Sequence, residues 1–363
     1  MTETINNRKR IGWIDIARGL AIFLVIFGHS LGEYWPGYLG RFIYIVHIPI
    51  FFILSGYLFR LKSFKYRFKT GILTLIIPYI ATVIIEILVT IFIHFYPNNG
   101  IIYSRLGSFR QILIAGIFGS GGPVRFPGLS SSLFIGAIWF LLAFFFGSLI
   151  FNLLMHYKLS IFNKFLVSIT FTLIGYFLSK KITLPFSLNS AMGAQIFFFS
   201  GYLIKKYNIL NKLKNYHYLI FLFVWLYISK LGLFLLDRMA TPNIVVDIIG
   251  SILASLCLMK FSILLDHWLI RNKLSIIRKS LLFVGWASLA IFCFHLIDLD
   301  DLNLWTIITH YLNKILPNWL STFVGILYRI VFACLVAKLI TYIPFVRSFF
   351  YPRKYLKQKR DFS

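Results

Sequence analysis

Residues 12–31 read GWIDIARGLAIFLVIFGHSL, and the interpretation of this stretch decides the fold. Twenty residues rising 1.5 Å each along a helix cover about 30 Å, the hydrocarbon thickness of a bilayer. Asp15, Arg18 and His29 are its only ionisable residues. A basic cluster, Arg8, Lys9 and Arg10, precedes the run as it would in a secretory signal, but no small-residue cleavage site follows. The stretch is therefore expected to be a first transmembrane span.

The rest of the chain repeats the pattern. Its 363 residues are 59% hydrophobic, 19% aromatic and only 13% charged, more apolar surface than a water-soluble globule can bury. On a template of about 20 apolar residues per span, spans are expected near 12–31, 42–60, 71–95, 131–151, 161–179, 191–205, 217–236, 243–265, 281–298 and 321–343. The expected fold is all-α: a single polytopic membrane domain of about ten helices, the sixth short and tilted or re-entrant. Two segments between spans are long. Residues 96–130 are turn-rich, with Asn98-Asn99-Gly100 and Gly119-Ser120-Gly121-Gly122-Pro123, whereas 298–320 opens with Asp298, Asp300 and Asp301 and holds Trp305 and Trp319.

A net charge of +26 could point to nucleic acid. Here, however, Lys and Arg cluster between apolar runs, as membrane-flanking anchors do. With the N-terminus inside, 24 of the 37 basic residues fall in cytoplasmic segments, 8 in external ones (Arg41, Arg105, Arg110, Arg125, Lys180, Lys181, Arg238, Lys314) and 5 in or beside spans. An even span count then places both termini in the cytoplasm. Cys257, Cys293 and Cys334 lie in apolar stretches without CxxC spacing, so neither a disulfide framework nor a metal site is expected.

Charge inside a membrane is costly and marks function by default. Arg18 and His29 are eleven residues apart, which on a helix puts them on one face to within roughly 20° and about 16 Å apart in depth. Asp15 lies one turn before Arg18, within ion-pair reach. A pair so placed could hold a phosphorylated donor at one depth and act on its far end at another. The plainer alternative has Asp15 and Arg18 neutralising each other and His29 bonding a neighbouring helix. His47 opens the second span and His295 closes the ninth. Ser55-Gly56 and Ser200-Gly201 are small-residue pairs suited to close helix packing, and no Gly-x-Ser-x-Gly elbow makes a nucleophile of Ser55. Glu86 is a further intramembrane acid. Imidazole suits removal of a proton from an alcohol near neutral pH, and Lys62, Lys65, Arg67 and Lys69 suit phosphates, or serve only as topology anchors.

Several segments in order carry a resemblance: Trp13 to Gly19 running on to Gly28-His29, then His47 to Leu58, Pro78-Tyr79, Trp139-Phe140-Leu141 and Ser288 to His295. With these the chain resembles the membrane-bound acyltransferase-3 family over essentially its whole length, in particular the fucose 4-O-acetylase-like branch. The resemblance implies about ten helices in a bacterial inner membrane, a cytoplasmic acyl-CoA donor and an acceptor modified on or across the membrane. Arg18 and His29 match the family's arginine, ten residues, histidine motif, which implies donor handling for Arg18 and catalysis for His29. His47, Ser55 and Gly56 match the second-span motif. Relatives carry a basic cluster just before the Pro-Tyr pair; here residues 71–77 are uncharged and the nearest bases are Arg67 and Lys69.

The expectation is an O-acetyltransferase using acetyl-CoA as co-substrate, with no permanently bound cofactor. Its acceptor is the sugar hydroxyl of a surface polysaccharide or lipid-linked precursor. Catalytic candidates are His29, Arg18, His47 and His295; Arg67 and Lys69 join Arg18 as donor-binding candidates. Direct transfer and an acyl-histidine intermediate both stay open, as does oligomeric state, a homodimer included. The rival is a polysaccharide or small-molecule exporter with Asp15, Arg18 and Glu86 along one path.

Overall fold

The computed structural model of the protein describes residues 11–97 and 100–351. The cluster Arg8-Lys9-Arg10, the pair Asn98-Asn99 and the tail bases from Arg353 to Arg360 lie outside the described residues. The first helices are α1 (Gly12–His29), α2 (Tyr38–Tyr44), α3 (Pro49–Tyr57), α4 (Phe64–Gly71), α5 (Ile77–Phe95) and α6 (Phe109–Phe118). Next come α7 (Trp139–His156), α8 (Ile161–Lys181), α9 (Leu188–Gly193), α10 (Gln195–Lys206), α11 (Ile209–Lys212) and α12 (Asn215–Leu231). The chain then forms α13 (Ile244–Arg271), α14 (Ser275–Asp301), α15 (Leu304–Leu312), α16 (Asn318–Ile340) and α17 (Pro344–Phe350). Extended pairing among the described residues is confined to two isolated bridges, Ile102 with Leu302 and Leu235 with Ala240.

Among the described residues, eight helical stretches are long and apolar enough to cross a membrane. The molecule is an all-α polytopic membrane protein. Each of the ten expected windows contains helix, but several boundaries move for local reasons. The second window breaks between Tyr44 and Pro49, because proline donates no hydrogen bond and starts a new helix instead. The sixth divides at Ala194 into α9 and α10. The seventh is the 17-residue α12, and residues 232–243 beyond it fold back as a hairpin. The fourth loses its first eight residues to irregular chain before Trp139. The acidic start of the expected segment 298–320 is instead the last turn of α14, with Asp298, Asp300 and Asp301 all buried.

Two glycine crossings set the packing. A methyl group on Gly285 would collide with the Asp15 carbonyl, and one on Gly19 would crowd the Leu281 carbonyl, so α1 and α14 approach backbone to backbone, side by side and parallel. In the same way Gly56 faces the Phe198 carbonyl and Gly201 the Ile53 carbonyl, which locks α3 side by side with α10 and parallel to it, Phe52 meeting Phe198 at one end and Tyr57 meeting Lys205 at the other. Ser55-Gly56 thus serves helix packing. A column of rings, Phe52, Phe144, Phe198 and Phe151, fills the space between α3, α7 and α10 at centroid distances of 5.2–5.7 Å.

Candidate active site

The α1–α14 crossing carries two histidines to one place. Ten residues beyond Gly19 on α1 is His29, and ten beyond Gly285 on α14 is His295. Their rings stack at 5.4 Å with 21° between planes, and His29 Nδ1 lies 3.2 Å from His295 Nε2. The third histidine comes from the broken second span. His47 sits in the turn between α2 and α3, buried, with its ring 6.3 Å from that of His29 and nearly perpendicular to it. Its Nδ1 is 3.2 Å from the Tyr44 carbonyl. A carbonyl only accepts, so this contact puts the His47 proton on Nδ1 and the lone pair on Nε2.

The His29–His295 contact runs in either direction, according to which ring carries the proton between them. His295 Nδ1 is buried without a hydrogen-bond partner among the described residues. A proton on that nitrogen leaves Nε2 to accept from His29 Nδ1. His29 then keeps its lone pair on Nε2, the tautomer of a general base.

A buried ion pair braces the cluster. Arg329 of α16 donates from Nε to Asp298 Oδ2 at 2.6 Å and from Nη1 to Ser30 Oγ at 3.0 Å; Tyr328 donates its hydroxyl to Asp298 Oδ1 at 2.8 Å. Ser30 follows His29, so the guanidinium ties the end of α1 to α14 and α16. Its charge also reaches both His29 and His295. Neither Arg329 nor Asp298 was singled out as a site residue from the sequence. An arginine inside the tenth span was the available signal.

His29 and His47 line a cavity of about 180 Å³ whose other walls include Trp35, Tyr44, Trp139, Asp237, Arg238 and Phe292. Asp237 and Arg238 come from the hairpin after α12 and pair at 3.4 Å. Burial pushes the Asp237 carboxyl above its ordinary range, and the Arg238 charge pulls it back. Nothing in the sequence singles out this hairpin, because its residues reach the histidines only through the return of the chain.

Arg18 is elsewhere. It lies eleven residues back along α1, about 16 Å by the helical rise, and its Nη1 is 3.6 Å from Asp15 Oδ1. Trp13 meets Tyr57 at 5.5 Å and Lys205 lies 5.0 Å over the same Tyr57 ring, so the start of α1 and the ends of α3 and α10 share this end of the bundle. Arg67 belongs to it too. Its guanidinium sits 5.4 Å over Phe59 and donates to the Arg60 carbonyl at 3.0 Å, while Lys69 on the same short helix is exposed. Ser55 is about 12 Å along the helix from His47. Glu86 interacts with Asp300, Asp301 and Arg105 beyond His295 on the far side of α14 from Asp15, so the exporter's three residues are divided between two ends. Among the described residues no group of three or more His, Cys, Asp or Glu is arranged to hold a metal ion.

A family described as an acyltransferase domain, acyltransferase-3, matches residues 11–338 of the chain. No curated protein and no solved structure matches it.

Proposed function

The chain belongs to the acyltransferase-3 family, and on that premise we propose that it moves an acetyl group from acetyl-CoA, taken at the Arg18 end, to a sugar hydroxyl presented at the His29 end. The acceptor is a surface polysaccharide or its lipid-linked precursor. The setting is a bacterial inner membrane with both termini in the cytoplasm, as the basic-residue bias favours. The observation that carries the reading is the histidine cluster itself: His29 and His47 line one cavity, and His295 stacks against His29 from behind.

In the reaction His29 Nε2 takes the hydroxyl proton as the alcohol oxygen attacks the thioester carbonyl. A C–O bond forms, the C–S bond breaks, and the departing coenzyme A thiolate recovers the proton from His29. His295 holds the His29 ring. Arg329 keeps the end of α1 in place, and Trp35 and Trp139 offer faces for a sugar ring. Arg18, with Arg67 and Lys69 at the same end, meets the phosphates of the donor.

The test is acetyl-CoA turnover by protein purified into nanodiscs, followed as free thiol, with envelope glycolipid as acceptor. Release that is lost in His29→Ala while the protein remains folded supports the reading. No thioester loss by the wild type moves the assignment to an exporter.

A further inference from the structure

A second cavity of about 300 Å³ adjoins the first. The two share Asp237 and Arg238, and the second is lined further by Arg125, Tyr176, Lys180 and Thr183. Its cations arrive from three separate pieces of chain: the loop before α7, the last turn of α8 and the hairpin after α12. They are also three of the eight basic residues on the side that the positive-inside bias leaves poor in them. Three of so few converging on one hollow is not what topology anchoring alone produces.

Each cation has a local role to weigh. Arg125 donates from Nη1 to the Ser179 and Lys180 carbonyls, both at 3.3 Å, and so caps α8. Lys180 could serve the same helix end, but its ammonium lies 4.1 Å over the Tyr176 ring instead. Arg238 is on another element and pairs with Asp237, the one carboxylate of the lining. Three cations against one acid leave the hollow net positive. Tyr176, Thr183 and Asn189 are also part of the lining.

The geometry points to an acceptor subsite for an anionic group, phosphate or carboxylate, on the glycan whose neighbouring hydroxyl is presented to His29. The inference rests on the acyltransferase reading for the glycan's role, and it makes the acceptor an acidic or phosphate-bearing saccharide, not a neutral one. Arg238, on the wall between the cavities, is placed to meet both parts of such a molecule.

The experiment uses the full chain in nanodiscs of zwitterionic lipid. Three probes are titrated at low salt with ligand-observed NMR: trehalose, trehalose 6-phosphate and a glucuronate-containing disaccharide. At least one anionic probe is expected to bind about tenfold more tightly than trehalose. A gain for the phosphate alone identifies a phosphate-bearing acceptor, and a gain for the glucuronate alone an acidic sugar. Lys180→Gln should remove most of that advantage, and Lys181→Gln, which changes a lysine outside the lining, should not. Equal binding of neutral and anionic probes, or a preference that survives Lys180→Gln, overturns the inference. Thiol release measured on the same preparations separates the two readings: an anion preference without turnover sinks the acyltransferase reading alone, and turnover without a preference sinks the subsite alone.

Discussion

The two ends of α1 handle charge in opposite ways. At the His29 end the polar groups are buried and wired across long sequence distances: His29 to His295, Ser30 to Arg329, Arg329 to Asp298. At the Arg18 end, among the described residues, the pairs span short stretches of sequence and are partly wet; Arg18 meets Asp15 three residues away with 36% of its side chain exposed, Arg67 meets the Arg60 carbonyl, and Arg278 meets Asp266 twelve residues away. A buried network holds a fixed geometry, because leaving any member unpaired is costly. Exposed cations on flexible stems suit a mobile polyanion, where precise placement matters less. The contrast assigns chemistry to one end and donor capture to the other.

The assignment can be broken from either end. His29→Ala is expected to lower kcat by about 10³-fold, in the range for loss of a positioned general base, read as thiol release from folded protein. If Arg18→Ala cuts kcat more than His29→Ala does, the division of labour is wrong. Arg329→Met, which strands Asp298 in the interior, should cost at least about 3 kcal/mol of stability, measured by thermal unfolding in detergent. Pairing it with Asp298→Leu should restore part of that loss, because then no buried charge is left alone.

Smaller effects sharpen the picture. Gly56→Ala puts a methyl group against the Phe198 carbonyl and should cost about 2 kcal/mol by overpacking, with activity falling only as folded protein is lost. Arg18→Ala should raise the KM for acetyl-CoA about tenfold, roughly 1.4 kcal/mol, with kcat nearly unchanged. Lys69→Ala, at an exposed position, should change KM by no more than about twofold. A larger effect there would extend the donor site along α4.

Much of the fold was legible because membrane spans announce themselves by length and apolarity, both local properties. Helix exists in every expected window, and Arg18 and His29 do share α1 at different depths. The boundaries that moved did so at particular residues. Pro49 splits the second span, and that split is what turns His47 toward His29. The chain beyond Leu231 leaves its helix and returns as the hairpin bearing Asp237 and Arg238. The acids from Asp298 to Asp301 look like an external segment by charge alone. They are instead buried, Asp298 being matched by Arg329 and Asp300 by Arg105 at 2.9 Å.

By itself the sequence determined the all-α membrane class and the placing of Arg18 and His29 on one helix, because a helix relates residues through a fixed rise and turn. Only the tertiary structure decided which groups meet His29. His295 is 266 residues away and Arg329 lies 299 beyond Ser30; His295 arrives because glycines at the crossing of α1 and α14 let two backbones touch, and Arg329 arrives on α16, held to α14 by Asp298. That approach depends on surfaces fitting between distant segments, which no local pattern records.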